Sequence, residues 1–252
     1  MATACTPARA PAQNLFADWA VIVVAGDDHA AHAGASTEAF DNARHDIADA
    51  LLSIGFSKAN ILQFSVWPEH FSAPRPLMTD MPTITQGLTS LTARARAGCL
   101  IYITSHGAPQ GVLIRQTLAP PQQLASLIDR TCGDRPTVVV LSACYSGVFV
   151  PFLAGQNRLI MSAARRDRTS FGCSEDNKYP YFDDCILQTL PRANDFPALA
   201  TLARRCIADR EQAEGLSPAS EPQYFIGATF QLTPYPFFRT PHSTTGAVIH
   251  GG

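Results

Sequence analysis

The sequence is poor in lysine, poor in charge and without a long apolar run. Only Lys58 and Lys178 are lysines, and Asp, Glu, Lys and Arg together make up 16% of 252 residues, below the roughly 25% of an average globular chain. Nineteen basic residues against 21 acidic ones leave a formal net charge of −2. A protein that neutralises phosphates needs a basic surplus or stripe. Arg165-Arg166-Asp167-Arg168 is too short to be one, so nucleic acid is not expected as a partner. The longest uninterrupted apolar stretch, Trp19 to Ala25, is far short of the ~18 residues of a membrane span. The seven cysteines include no Cys-x-x-Cys pair, so neither a zinc site nor a disulfide framework is signalled. An odd count leaves at least one thiol free unless a bridge joins two chains, and Cys173 and Cys185, which flank a polar loop, are expected as free thiols, with a bridge between them the alternative in an oxidising compartment. The 16 glycines and 19 prolines follow no period, which excludes collagen-like repeats. Residues 1–18 lack the apolar centre of a signal peptide. The location is therefore cytoplasmic if Met1 is the native start, and periplasmic or secreted if a leader has been removed.

What is present is an alternation of short apolar runs and helical patterns. Trp19 to Ala25 is a continuous β-branched run closed by Gly26, the pattern of a strand covered on both faces. Asn60 to Ser65, Cys99 to Thr104, Thr137 to Leu141, Arg158 to Ser162 and Gln223 to Gly227 read as five more strands. Helical patterns cover Ala39 to Ile54, Thr83 to Ala97, Pro120 to Thr131, Tyr181 to Leu190 and Phe196 to Glu214, three of them closed by a nearby glycine. This predicts an α/β fold with a mostly parallel six-stranded sheet and helices on both faces. The domain is expected over 19–227, with irregular extensions over 1–18 and 228–252. Two long connections interrupt the alternation, the proline-rich 66–82 and the polar 164–180, and long connections of this kind are often functional.

In parallel α/β sheets, ligands bind where the strands end at their carboxyl side. The third strand runs into Ser105-His106-Gly107 and the fourth into Ser142-Ala-Cys144-Tyr-Ser-Gly147. A Cys after a strand is usually a small buried apolar residue, and a His beside Gly usually a turn residue. A His and a Cys at the exits of neighbouring strands, however, would share a crevice, where a thiol attacks a carbonyl and an imidazole protonates the leaving group. Gly107 and Gly147 allow tight backbone and free amides for an oxyanion. His29 and His32 have no partner spacing and read as solvated loop histidines. No metal or organic cofactor is expected.

These blocks resemble those of the legumain family, the asparaginyl endopeptidases of caspase-like fold. The resemblance rests on Ser-His106-Gly and Ser-Ala-Cys144-Tyr-Ser-Gly, on Trp19 to Gly26, on Asn42-Ala-Arg44-His45-Asp-Ile-Ala-Asp49, and on Ala163 to Cys173. Bacterial members of that family can be minimal, and the usage rich in Arg and poor in Lys is consistent with a GC-rich bacterial source. The resemblance implies Cys144 as nucleophile, His106 as general acid and base, Asn42 orienting the His, and Gly107 with Cys144 lending amides to the oxyanion. It implies a side-chain pocket of Arg44, His45, Ser142, Ser170 and Asp184, and cleavage of peptides or proteins after Asn, with Asp also accepted. Relatives carry Glu two residues before the nucleophile, where this chain has Ser142. The same acyl-enzyme could instead pass to an amine, as in a peptide ligase or transamidase, and a non-catalytic caspase-like binding module is the rival from another class. The oligomeric state is not legible.

Overall fold

Every residue from Trp19 to Ala25 is buried, because this run forms the middle of a sheet with helices on both faces. The structure, a computed structural model, describes residues 16–31, 35–232 and 238. In chain order the elements are β1 (Trp19–Ala25), α1 (Ala39–Ser53), β2 (Ile61–Ser65), β3 (Leu77–Met78), α2 (Met81–Arg94) and β4 (Gly98–Thr104). A small excursion follows, β5 (Gly107–Ala108), β6 (Gly111–Ile114) and β7 (Thr117–Ala119). Then come α3 (Pro121–Cys132), β8 (Thr137–Ser142), α4 (Val150–Leu153), β9 (Arg158–Ser162), α5 (Tyr181–Thr189), α6 (Phe196–Ala213), β10 (Gln223–Ile226) and α7 (Ala228–Leu232).

The main sheet has the order β10-β9-β8-β4-β1-β2-β3. Its pairs are parallel except β10, which runs antiparallel to β9. Alternate residues of each strand serve opposite faces. Val21, Val23, Leu100, Val138 and Val140 pack on one side with Ile47 and Leu51 of α1, Ile186 of α5 and Leu199 of α6. Ala20, Ile22, Ile101, Ile103 and Leu141 pack on the other with Leu88 and Leu91 of α2 and Ile128 of α3. Each such aliphatic side chain contributes about 1.5–3 kcal/mol on burial, so the two-sided sheet is the fold's main source of stability. Two helix starts are fixed by side chains: Asp80 accepts from the Thr83 amide and Asp195 from the Ala198 amide, both at 2.7 Å. Each satisfies an amide the helix leaves without a partner.

The sheet therefore has seven strands rather than the expected six. The added strand, β3, is a two-residue edge strand just after Pro76 in the proline-rich connection, and two residues carry no period to read. The antiparallel β5-β6-β7 sheet was likewise not expected. Two disulfides, Cys99–Cys132 and Cys185–Cys206, join β4 to α3 and α5 to α6. Cys185 is thus not a free thiol. Helix packing brought these pairs together, and no sequence spacing announced it. Among the described cysteines Cys144 and Cys173 are free.

The core also draws on residues beyond 19–227. Phe16 stacks on Phe56 at 4.6 Å between ring centroids, and Phe238 meets Phe196 edge-on at 4.9 Å. A short helix occupies 228–232 where an irregular tail was expected. The rest of the two expected extensions, like His32, lies outside the described residues. No helix among the described residues is long and apolar enough to cross a membrane.

Candidate active site

Three neighbouring strands end in register. Ala25 of β1 pairs with Thr104 of β4, and Thr104 pairs with Ser142 of β8. Two residues beyond each member of this row stand Asp27, His106 and Cys144. Adjacent strands lie about 4.8 Å apart, so sheet pairing alone sets these three residues side by side at the carboxyl edge.

Past β8 the chain turns sharply at Tyr145, which adopts φ 57°, ψ 10°. A non-glycine residue in this left-handed region costs about 1–2 kcal/mol, and the surroundings hold it there. The Tyr145 amide donates to the Arg168 carbonyl and the Gly147 amide to the Ala164 carbonyl, both at 2.8 Å. A Cβ on Gly147 would lie 2.5 Å from the Arg166 nitrogen, so this close approach of two backbones requires glycine. The turn leaves the Cys144 sulfur half-buried under the 164–180 loop. The Ser170 amide donates to it at 3.3 Å, and the Ser170 hydroxyl lies 3.6 Å away.

Gly107 presses against the same segment from the other side. A Cβ there would stand 2.1 Å from the Cys144 carbonyl oxygen, so only glycine fits. The Leu113 amide donates to the His106 carbonyl at 2.9 Å, which makes His106 and Leu113 the hydrogen-bonded pair of the β5-β6 ladder. Such pairs alternate with non-bonded ones, so Gly107, opposite Val112, turns its N–H away from β6.

The His106 ring packs edge-on against Phe40 of α1, with centroids 5.1 Å apart. Its Nε2 stands 2.9 Å from the backbone carbonyl of His29. A carbonyl only accepts, so Nε2 carries the proton and Nδ1 is left as the basic nitrogen. The other free thiol, Cys173, is on the loop that covers Cys144. Burial first, then the nearby Cys144, push its pKa up to about 11, which keeps it in the unreactive thiol form.

Ser170 and Gly107 lie beside Cys144, with His106 in the same row, and other candidate residues have different partners. The Asn42 amide donates to the Lys178 carbonyl at 3.3 Å, and no hydrogen bond joins it to His106 among the described residues. His45 is exposed and pairs with Asp46 at 2.8 Å. Asp184 forms an ion pair with Arg210 at 2.7 Å. Arg44 is buried. Its Nε donates to Asp41 at 2.7 Å, its Nη1 donates to Gln63, and the Phe71 ring lies 4.8 Å from its guanidinium carbon. Its Nη2 has no hydrogen-bond partner among the described residues. The Ser142 hydroxyl is buried and donates to Asp183.

Two residues of this region were missed in the sequence. Asp183, not its neighbour Asp184, faces the end of β8, and it also accepts hydrogen bonds from Tyr102 and Thr104. Burial pushes its pKa up to about 6 against the three hydroxyl hydrogen bonds, which pull it down. Asp27 leaves β1 as His106 leaves β4, so the rule of inspecting each strand exit would have found it. Asp27, Asp28 and His29 lie close enough to share one cation. Each is already engaged: His29 Nδ1 meets Asp27 at 2.6 Å, and Trp67 Nε1 donates to Asp28 at 2.6 Å.

A sequence model described as the peptidase C13 family matches residues 5–203, a span that includes His106 and Cys144. No curated protein sequence matches the chain. The crystal structure of caspase-1 from Spodoptera frugiperda is similar with a TM-score of 0.59 at 14% identity, over 89% of this chain and 94% of that chain. The fold is therefore caspase-like.

Proposed function

The chain belongs to the peptidase C13 family, the legumain family of cysteine peptidases, whose substrates are proteins, and on that footing we propose that it is an endopeptidase cutting after Asn and also after Asp through a Cys144 acyl-enzyme. The observation that carries the reading is the Thr104–Ser142 pairing, which sets the two reacting side chains level. Cys144 Sγ, its proton taken by His106 Nδ1, attacks the scissile carbonyl. The negative oxygen that forms is met by the Gly107 amide, freed from the β5-β6 ladder, and by the Cys144 amide. His106 gives its proton to the departing amine from Nδ1, while Nε2 stays anchored on the His29 carbonyl. Water then releases the acyl group with His106 as base.

The side-chain pocket in this reading is built on Arg44 and Ser170. The unpartnered Arg44 Nη2 is a donor for the oxygen of an Asn carboxamide or an Asp carboxylate, reached once Phe71 moves from the guanidinium face. Asn42 holds the 164–180 loop to α1, and Asp184 holds α5 to α6, so both support the pocket wall. His45 stands at its rim. Ser142 acts from beneath through Asp183.

A peptide-library cleavage profile of the wild type, with Cys144→Ala as control, tests the reading. Cuts after Asn and Asp that vanish in the variant support it. Cuts without preference for these residues refute the specificity, and cuts that persist in folded Cys144→Ala refute the nucleophile.

A further inference from the structure

We infer that Asp27 is the positioning residue of His106, completing a row of Asp27, His106 and Cys144 supplied by three consecutive strands of the sheet. Strand register sets the row. Ala25, Thr104 and Ser142 are paired across β1, β4 and β8, and the three residues stand at equal distances beyond them. Backbone bonds extend the row: the Gly26 amide donates to the Thr104 carbonyl at 2.8 Å and the Ser105 amide to the Ser142 carbonyl at 3.0 Å.

Asp27 is 2% exposed, and an acid this buried needs partners. Its Oδ1 accepts from the Asp28 amide at 2.9 Å and faces His29 Nδ1 at 2.6 Å. Its Oδ2 lies 3.9 Å from His106 Nε2, the nitrogen that already donates to the His29 carbonyl. Residues 27–29 therefore present His106 with a neutral acceptor in contact and a negative charge just behind it. The carbonyl fixes the ring and its tautomer. The carboxylate stabilises the imidazolium that must exist before His106 can protonate a leaving amine. Asn42, bonded to the Lys178 carbonyl, does neither.

The charges around this pair come from four sides. Asp28 lies 3.5 Å from His29 Nδ1 and is held by Trp67. His29, largely exposed, has its pKa raised chiefly by its hydrogen bond to Asp27, so in the charged form it competes with His106 for the same carboxylate. Cys173 in the 164–180 loop feels the Asp27 charge. Cys144 lies on the β8 side, and the α1 ring that packs on His106 is the uncharged Phe40.

The test is the pH profile of Cys144 alkylation by iodoacetamide, followed by mass spectrometry, in wild type, Asp27→Asn and His29→Ala. Asn at 27 keeps the acceptor for the Asp28 amide and His29 but removes the charge. The Cys144 thiolate paired with a His106 imidazolium should then form at higher pH, with alkylation at pH 6 slower by about tenfold. His29→Ala keeps the backbone carbonyl and removes the competing cation, so its profile should move to lower pH. On an amide peptide, Asp27→Asn should lower kcat and leave KM within about twofold.

Profiles of Asp27→Asn and wild type that superimpose overturn the assignment. If Asp27→Asn does not fold, an unmoved His29→Ala profile overturns it instead. The assignment rests on Cys144 and His106 being the reacting pair, but alkylation needs no peptide. A shifted profile without cleavage after Asn would support Asp27 and refute the specificity.

Discussion

Ser142 donates its hydroxyl to Asp183 at 2.7 Å, tying the last residue of β8 to the first turn of α5. The carboxylate that meets Ser142 thus comes from α5, and no solvent reaches it. The Asp183 pKa of about 6 lies above its ordinary 3.8. Below the lower value the acid is neutral in folded and unfolded chains alike. Above the higher value the folded chain carries the full cost of a buried charge. Stability from this group therefore falls as pH rises from about 4 to about 6, by about 3 kcal/mol. Urea unfolding from pH 4 to 7 should show this slope in the wild type and its loss in Asp183→Asn. Equal slopes would mean that Asp183 does not titrate in this window.

Ser142→Glu sets a second carboxylate against Asp183, where two like charges cannot both ionise cheaply. The variant should lose more thermal stability at pH 7.5 than at pH 5. A variant as stable as the wild type at both values would place residue 142 in the crevice instead.

His106→Gln removes the proton donor for the leaving amine. Turnover on amide peptides should fall by roughly 10²-fold or more, and turnover on activated esters, whose leaving groups need no proton, by much less. Stopped assays on matched amide and ester substrates decide this, and equal losses would reduce His106 to a packing role.

The two disulfides span 33 and 21 residues of chain, and loop closure at these lengths is worth about 3–4 kcal/mol each. Among the six described cysteines, only Cys144 and Cys173 should take a thiol label in denaturant before reduction. Reductant should lower the urea midpoint. Labelling of Cys99, Cys132, Cys185 or Cys206 without reduction would contradict the pairing.

The sheet was legible because β1, β4, β8 and β9 are built on short apolar runs and are buried at every position, with length enough to read. β3 was not legible, since two residues just after Pro76 have no pattern. Cys144, His106 and Gly107 could be placed because strand exits are fixed by strand ends. The side-chain network was harder to place. Asp183 and Asp184 are adjacent on a helix, where one residue rotates a side chain by about 100°, and only packing decides which turns to Tyr102 and which to Arg210. Asn42 and Arg44 share α1, yet their partners, Lys178 and Gln63, are distant in sequence. No local spacing encodes such contacts.

The proposed mechanism makes Cys144 the nucleophile and leaves Cys173, its half-buried neighbour, inert. A short peptide bearing an Asn-derived electrophile at its carboxyl end, incubated with the native protein at pH 6.5, tests it directly when the adduct is located by peptide mapping. One adduct per chain is expected on Cys144, because the Cys173 thiol, with a pKa of about 11, stays protonated. Labelling of Cys173 in place of Cys144, or no adduct in folded protein, would contradict it.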